Sequence, residues 1–237
     1  MLALVGLGYL WTPQIVTCYF ARQWARESPG LNAVPRPLTD LRIDSGKGTT
    51  VELYGYTIEA PWADIEFTKD VRIASSVGFK SGANILLFDP NGDPSILSII
   101  QGMDEKQNAK IRDVLGSDTV RSEYDFSKAV YFITANDISL WMSRQRAARA
   151  IILMNIKSSQ VSSRNPDTFL LETALFRGFQ EGSPDVEGVR GRQVRIRLFD
   201  SDGKELQLVI SAKKGASLTQ AQINRVIQSI RPAVSSR

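Results

Sequence analysis

The chain has 237 residues, with 29 Lys and Arg against 25 Asp and Glu, a net charge of +4. It contains no histidine and one cysteine, Cys18. This excludes a disulfide within the chain, a zinc site built from Cys and His, and a nucleophile activated by His. Any catalysis must use carboxylates, Lys, Tyr or Ser, and the mildly basic balance falls short of a dedicated nucleic-acid binder, so no nucleic-acid partner is expected.

Met1–Ala21 holds no charged side chain and ends at Arg22, with Arg26 following. As a helix it would extend about 30 Å, the thickness of a bilayer's hydrocarbon core. It is read as an uncleaved, single-pass transmembrane anchor at 1–21, a signal anchor that makes the membrane the first partner. A cleaved signal peptide lacks its basic start and small-x-small site here. Ile15-Val16-Thr17-Cys18 is a poor lipobox, and Pro13 and the length speak against a buried core helix. Arg22 and Arg26 favour a cytoplasmic domain by charge. A short bacterial-looking chain with one N-terminal span commonly exports its remaining domain, so the expected localisation is membrane, single-pass, with the domain extracytoplasmic.

Residues 22–49 form a juxtamembrane tether, because Pro29, Pro35 and Pro37 fix φ and lack N–H donors. Ser45–Thr50 lacks the Gly-x4-Gly-Lys spacing of a phosphate loop. Residues 50–237 are then one soluble α+β domain. Thr50–Trp62 alternates as a strand, with Gly55 marking a bulge or tight turn where parity switches. Val71–Phe88 reads as a hairpin across Ser81-Gly82, with Val77 facing Leu86 and Phe79 facing Asn84. Asp89, Asn91 and Asp93 imitate the first ligands of a calcium loop. The closing position is Ile100 and Pro94 occupies the glycine position, so no metal is expected. Asp93 is instead a cap for a helix over Ser95–Leu115, with Pro94 at its first position, Gly102 as a break and Gly116 as the stop.

A helix is expected over Tyr124–Thr134. Asp137 is expected to cap a longer one through Lys157, with a stripe of Ile138, Trp141, Gln145, Ala148, Ile152 and Ile156. Arg144, Arg146 and Arg149 on its flanks would touch anionic lipid or phosphate, or simply cover the core with their stems. Thr168–Phe179 is strand-like. In Gly191–Ser211, Val194, Ile196 and Leu198 must share a face with Leu206, Leu208 and Ile210. That parity excludes a two-residue loop and requires Ser201-Asp202-Gly203, pairing Leu198 with Leu206 and placing Arg197 near Gln207 and Glu205 on a wet face. Thr219 and Gln222 form a capping box for a last helix whose stripe is Ile223, Val226, Ile227 and Ile230.

The fold class expected is α+β: a mostly antiparallel sheet of about six or seven strands against helices, preceded by the transmembrane helix. The aromatic start Tyr54–Trp62, the late hairpin around Asp200–Gly203 and the closing helix Thr219–Pro232 resemble the PsbP-like α/β/α sandwich, in bacterial single-pass proteins built as anchor, tether and domain. The resemblance implies a domain that binds proteins or larger assemblies, and supplies no catalytic residue. The function expected is thus a membrane-anchored, non-catalytic binding or assembly module with a protein partner and no cofactor. Tyr54, Tyr56 and Trp62 are candidates for its binding face or for its core. The alternative is a carboxylate-dependent hydrolase or transferase using Asp64 with Glu66, or Asp200 with Asp202.

Overall fold

The computed structural model describes residues 2–92, 99–100, 102–161 and 165–233, with side chains described from residue 14 on, Pro29 excepted. The chain divides into two compact units, each drawn from two separated stretches. One comprises residues 1–34 with 96–166, the other 35–95 with 167–237.

The first unit is helical: α1 (Leu2–Glu27), α2 (Pro29–Asn32), α3 (Glu105–Leu115), α4 (Glu123–Phe132), a 3-10 turn at Ala135–Asp137 and α5 (Arg144–Gln160). Helix α1 continues past Arg22, the expected end of the span. No helix among the described residues is long and apolar enough to cross a membrane. Gly6, Gly8, Thr12, Pro13, Gln14 and Thr17 dilute the run. Its described second half packs on one face only, leaving Val16, Tyr19, Phe20 and Trp24 exposed. Cys18 and Ala25 are fully buried, in one cluster with Leu31, Ile138, Ala147, Ala150 and Met154. These small side chains let α1 approach α5 closely, and Gln14 donates to the Met142 carbonyl. The transmembrane anchor, the single-pass topology, the membrane localisation and the extracytoplasmic placement are therefore corrected: no described helix is long and apolar enough to span, and the described side chains of α1 at Cys18, Ala21 and Ala25 pack within the first unit.

Helix α5 begins later than its periodicity suggests. Ser143 is its cap, accepting from the Arg146 amide, and Ile138 has extended backbone. Asp137 instead folds back on Thr134, accepting from its amide at 2.7 Å and its hydroxyl at 2.8 Å. The buried stripe is Ala147, Ala150, Leu153, Met154 and Lys157, while Trp141 stands 74% exposed. The stripe is thus rotated from the expected one. Helix α3 is capped by Asp104, and Gly116, at φ 85°, ends it as expected. The expected cap Asp93, Pro94 and the start of that helix over Ser95–Ser98 lie outside the described residues.

The second unit carries the sheets. A nine-stranded sheet, rather than six or seven strands, follows the order β1-β7-β8-β10-β11-β6-β5-β4, with β9 beside β10. Its strands are β1 (Arg36–Pro37), β4 (Ile65–Val71), β5 (Ala74–Phe79), β6 (Ala83–Phe88), β7 (Thr168–Glu172), β8 (Arg177–Glu181), β9 (Glu187–Gly188), β10 (Gly191–Phe199) and β11 (Glu205–Ala212). All neighbours are antiparallel except β1 with β7. A second sheet joins β2 (Thr49–Leu53), β3 (Tyr56–Ala60) and β12 (Arg231–Pro232). The α+β class stands.

The core of this unit gathers Val77, Phe79, Ile85, Leu87, Val194, Ile196, Leu198, Leu206, Leu208 and Ile210 from the large sheet. Against them pack Ile58 of the small sheet and Ile223, Val226 and Ile227 of α6 (Gln220–Ser229). Each such fully buried aliphatic side chain contributes about 2 kcal/mol. The register Leu198–Leu206, Ile196–Leu208 and Val194–Ile210 is the one parity requires, and Gly203 takes the left-handed position at φ 81°. The capping box of Thr219 and Gln222 forms at 3.3 and 3.0 Å.

Two hairpins differ from expectation. Thr50–Trp62 is a pair of strands folded at Tyr54-Gly55, both with positive φ (48° and 73°), the geometry of a tight two-residue turn. The β5–β6 connection has three residues, Lys80–Gly82, so Val77 faces Ile85 and Gly78 faces Asn84. The same parity rule explains this: Ile85 is buried and Leu86 is not.

Candidate functional site

Each residue singled out from the sequence has a traceable place. Trp62 is 7% exposed and lies against the Phe79 ring at 5.2 Å. Tyr54 and Tyr56 pack on the core as half-buried rings. The Tyr54 hydroxyl donates to the Val71 carbonyl at 3.2 Å. Burial, then the carboxylates of Asp89 and Asp70, push its pKa up and keep the phenol a donor.

The carboxylate pairs are not buried. Asp64 and Glu66 are exposed, and Glu66 lies 3.9 Å from Lys213. Asp200 organises its own turn, accepting from the amides of Asp202 at 3.0 Å and Lys204 at 2.8 Å. Nothing in this arrangement supports the hydrolase alternative. Arg149 is an internal tie, donating to Thr119 at 2.5 Å, whereas Arg144 and Arg146 are exposed on the first turn of α5. Asp89 closes a turn by accepting from the Asn91 amide. Among the described residues no group of three or more Asp, Glu, Cys or His is placed to hold a metal.

Arg197 is paired as expected with Glu205, at 2.5 Å, and Gln207 donates to the same carboxylate oxygen at 2.9 Å. The face is not wet, because Arg197 is only 8% exposed. The two charges neutralise each other, so this cluster is not available to a ligand.

What remains open is a sheet edge. Strand β4 ends the order of the large sheet, and among the described residues it pairs with β5 alone. All seven of its residues are exposed. Ile65, Phe67 and Val71 are 43–45% exposed, and Ile73 in the following turn is 48% exposed. The sequence carries the signal, since Ile65, Phe67 and Val71 alternate with Glu66, Thr68 and Asp70. The Asp64–Glu66 pair draws the eye first and hides it.

The backbone of β4 can be assigned donor by donor. Val71 and Ala74 flank the two-residue turn Arg72-Ile73, so that pair exchanges its hydrogen bonds. Alternation then turns Lys69 and Phe67 towards β5, and Thr68 and Asp70 towards the open side. The register shifts between Ile65 and Phe67, a bulge that stops the regular ladder there. The Phe67 ring covers Gly78, where an added Cβ would collide with it. Asp70 accepts from the Ser75 hydroxyl opposite it. The far edge of the sheet differs: β1 is two residues long and contains Pro37, which cannot donate.

Comparison of the chain with protein-family models, with curated proteins and with solved structures finds no match.

Proposed function

We propose that the chain is a non-catalytic binding or assembly module that takes a protein partner, with β4 as its docking element. One observation carries this reading: a terminal strand of a large sheet leaves every residue exposed, with apolar side chains among them and the outward backbone groups of Thr68 and Asp70 unclaimed among the described residues. Natural sheets ordinarily cover or shorten such an edge, because it templates pairing with another chain. The resemblance to PsbP-like domains points the same way by analogy of fold.

The test is site-specific photo-crosslinking in the full chain. A photoreactive residue replaces Thr68 in one protein and Val189, an exposed turn residue, in another. The expected result is a discrete adduct from position 68 that excess unmodified chain competes away, and none from position 189. The same adducts from both positions, or labelling that is not competed, overturn the reading.

A further inference from the structure

We infer that β4 receives an antiparallel strand from a different protein, with basic residues on one face and an acidic residue between two apolar ones on the other, and that it does not receive a second copy of itself. The inference rests on the binding-module reading and names its partner's chemistry.

The window is Phe67–Val71. The bulge closes it on one side and the Arg72-Ile73 turn on the other. An incoming antiparallel strand must bond to the outward groups of Thr68 and Asp70. Residues directly opposite share a face, and like charges there are destabilising.

A second copy has three registers that set these outward residues against each other. With Thr68 opposite Thr68, Phe67 meets Lys69 twice, an apolar ring against a charge. With Thr68 opposite Asp70, Lys69 meets Lys69. With Asp70 opposite Asp70, two carboxylates meet directly. Each register opposes like charges or sets a charge against an apolar ring, so the edge disfavours its own kind while staying open to a complement. Lys69 in mid-strand and the bulge are devices that proteins use against self-pairing.

The complement comes from the same geometry. Asp70 calls for a basic residue opposite, Lys69 for an acidic one, Phe67 and Val71 for apolar β-branched ones, and Thr68 for a β-branched polar one; Glu66, at the bulge just past the window, calls for a second basic residue at the end of the strand. Read from its N-terminus, the incoming strand is Val-Lys-Glu-Thr-Val-Lys or its chemical equivalent. Main-chain bonds supply affinity in this mode, and alternate side chains supply choice.

The experiment measures amide hydrogen exchange in the full-length protein with that hexapeptide and with its charge-inverted form, Val-Glu-Lys-Thr-Val-Glu. The expected result is exchange slowed at least tenfold at the Thr68 and Asp70 amides by the first peptide, with at least tenfold weaker binding of the second. Lys69→Glu should weaken the first peptide at least tenfold while leaving the exchange pattern of β10 and β11 unchanged. Equal binding of both peptides overturns the charge complementarity. Slowing at these amides on raising the protein's own concentration assigns the edge to a second copy and overturns the inference. No slowing with either peptide at millimolar concentration overturns it as well. If the position-68 adduct is still formed, only the partner's chemistry falls; if it too is absent, the binding reading falls with it.

Discussion

The ammonium of Lys157 donates to the carbonyl of Ala33 at 2.7 Å, across 124 residues of sequence. Its other two donors go to the carbonyls of Tyr131 at 2.9 Å and Ile133 at 2.7 Å. Ala33 caps the C-terminus of α2, and Tyr131 and Ile133 lie at the C-terminus of α4. One buried cation thus satisfies the orphan carbonyls of two helix ends, where the helix dipoles favour positive charge.

Lys157→Met is expected to destabilise the protein by about 2–4 kcal/mol at neutral pH, because one buried and two half-buried carbonyls lose their shared donor. Urea unfolding followed by circular dichroism measures this.

The same residue gives a pH signature. Burial pushes the Lys157 pKa down to about 8 from its ordinary 10.5, with Asp137 opposing the shift. Between those values the unfolded chain binds the proton and the folded chain does not, so stability rises with pH through that window. The urea midpoint of the wild type should therefore gain on that of Lys157→Met as pH is raised from about 8 to about 10. A gap that shrinks as pH rises would show that the carbonyls hold the charge more strongly than burial expels it.

Arg197 and Glu205 should behave as a unit. Glu205→Leu alone leaves a buried guanidinium without its carboxylate and should cost about 3–5 kcal/mol. Arg197→Met with Glu205→Leu should recover most of that loss. A double-mutant cycle with additive effects would mean that the two charges are solvated independently.

Two glycines of the large sheet should respond differently to alanine. At Gly78 the new methyl meets the half-exposed Phe67 ring, which can swing aside, so Gly78→Ala should cost about 1 kcal/mol and be rescued by Phe67→Ala. At Gly178 it meets the Arg197 carbonyl oxygen at 1.9 Å, a backbone atom of the neighbouring strand. Gly178→Ala should cost about 3 kcal/mol or more, with no side-chain rescue. Thermal melting of the three variants separates these cases.

How far the chain can be read without its structure depends on the range of the interactions. The β10–β11 register comes out of parity alone, because six apolar residues leave one loop length that sets them on one face. Helix α6 comes out of a cap and a stripe written within a dozen residues. The β5–β6 loop needs the same parity argument, and Ile85 already carries it. Local pattern fails where the deciding partner is distant. Cys18 and Ala25 of α1 are buried because they meet Ala147, Ala150 and Met154, far along the chain. Arg197 alternates like a solvated residue and is nonetheless buried. Lys157 looks like an ordinary helix-terminal lysine until its three carbonyl partners are known. The open edge at β4 is visible as alternation, but that nothing beyond β5 pairs with it among the described residues is a fact of topology.

The two interleaved units set an order on biosynthesis. The helical unit needs nothing beyond residue 166, so it can close while the ribosome is still at work. In the other unit β4, β5 and β6 emerge well before β10 and β11, which must be inserted between β6 and β8. Until then a half-built sheet, apolar on one side, waits for its middle. A stop codon anywhere after residue 166 and before residue 212 should leave a protein with one sound half and one aggregation-prone half, and no single cut in the chain can release either half intact.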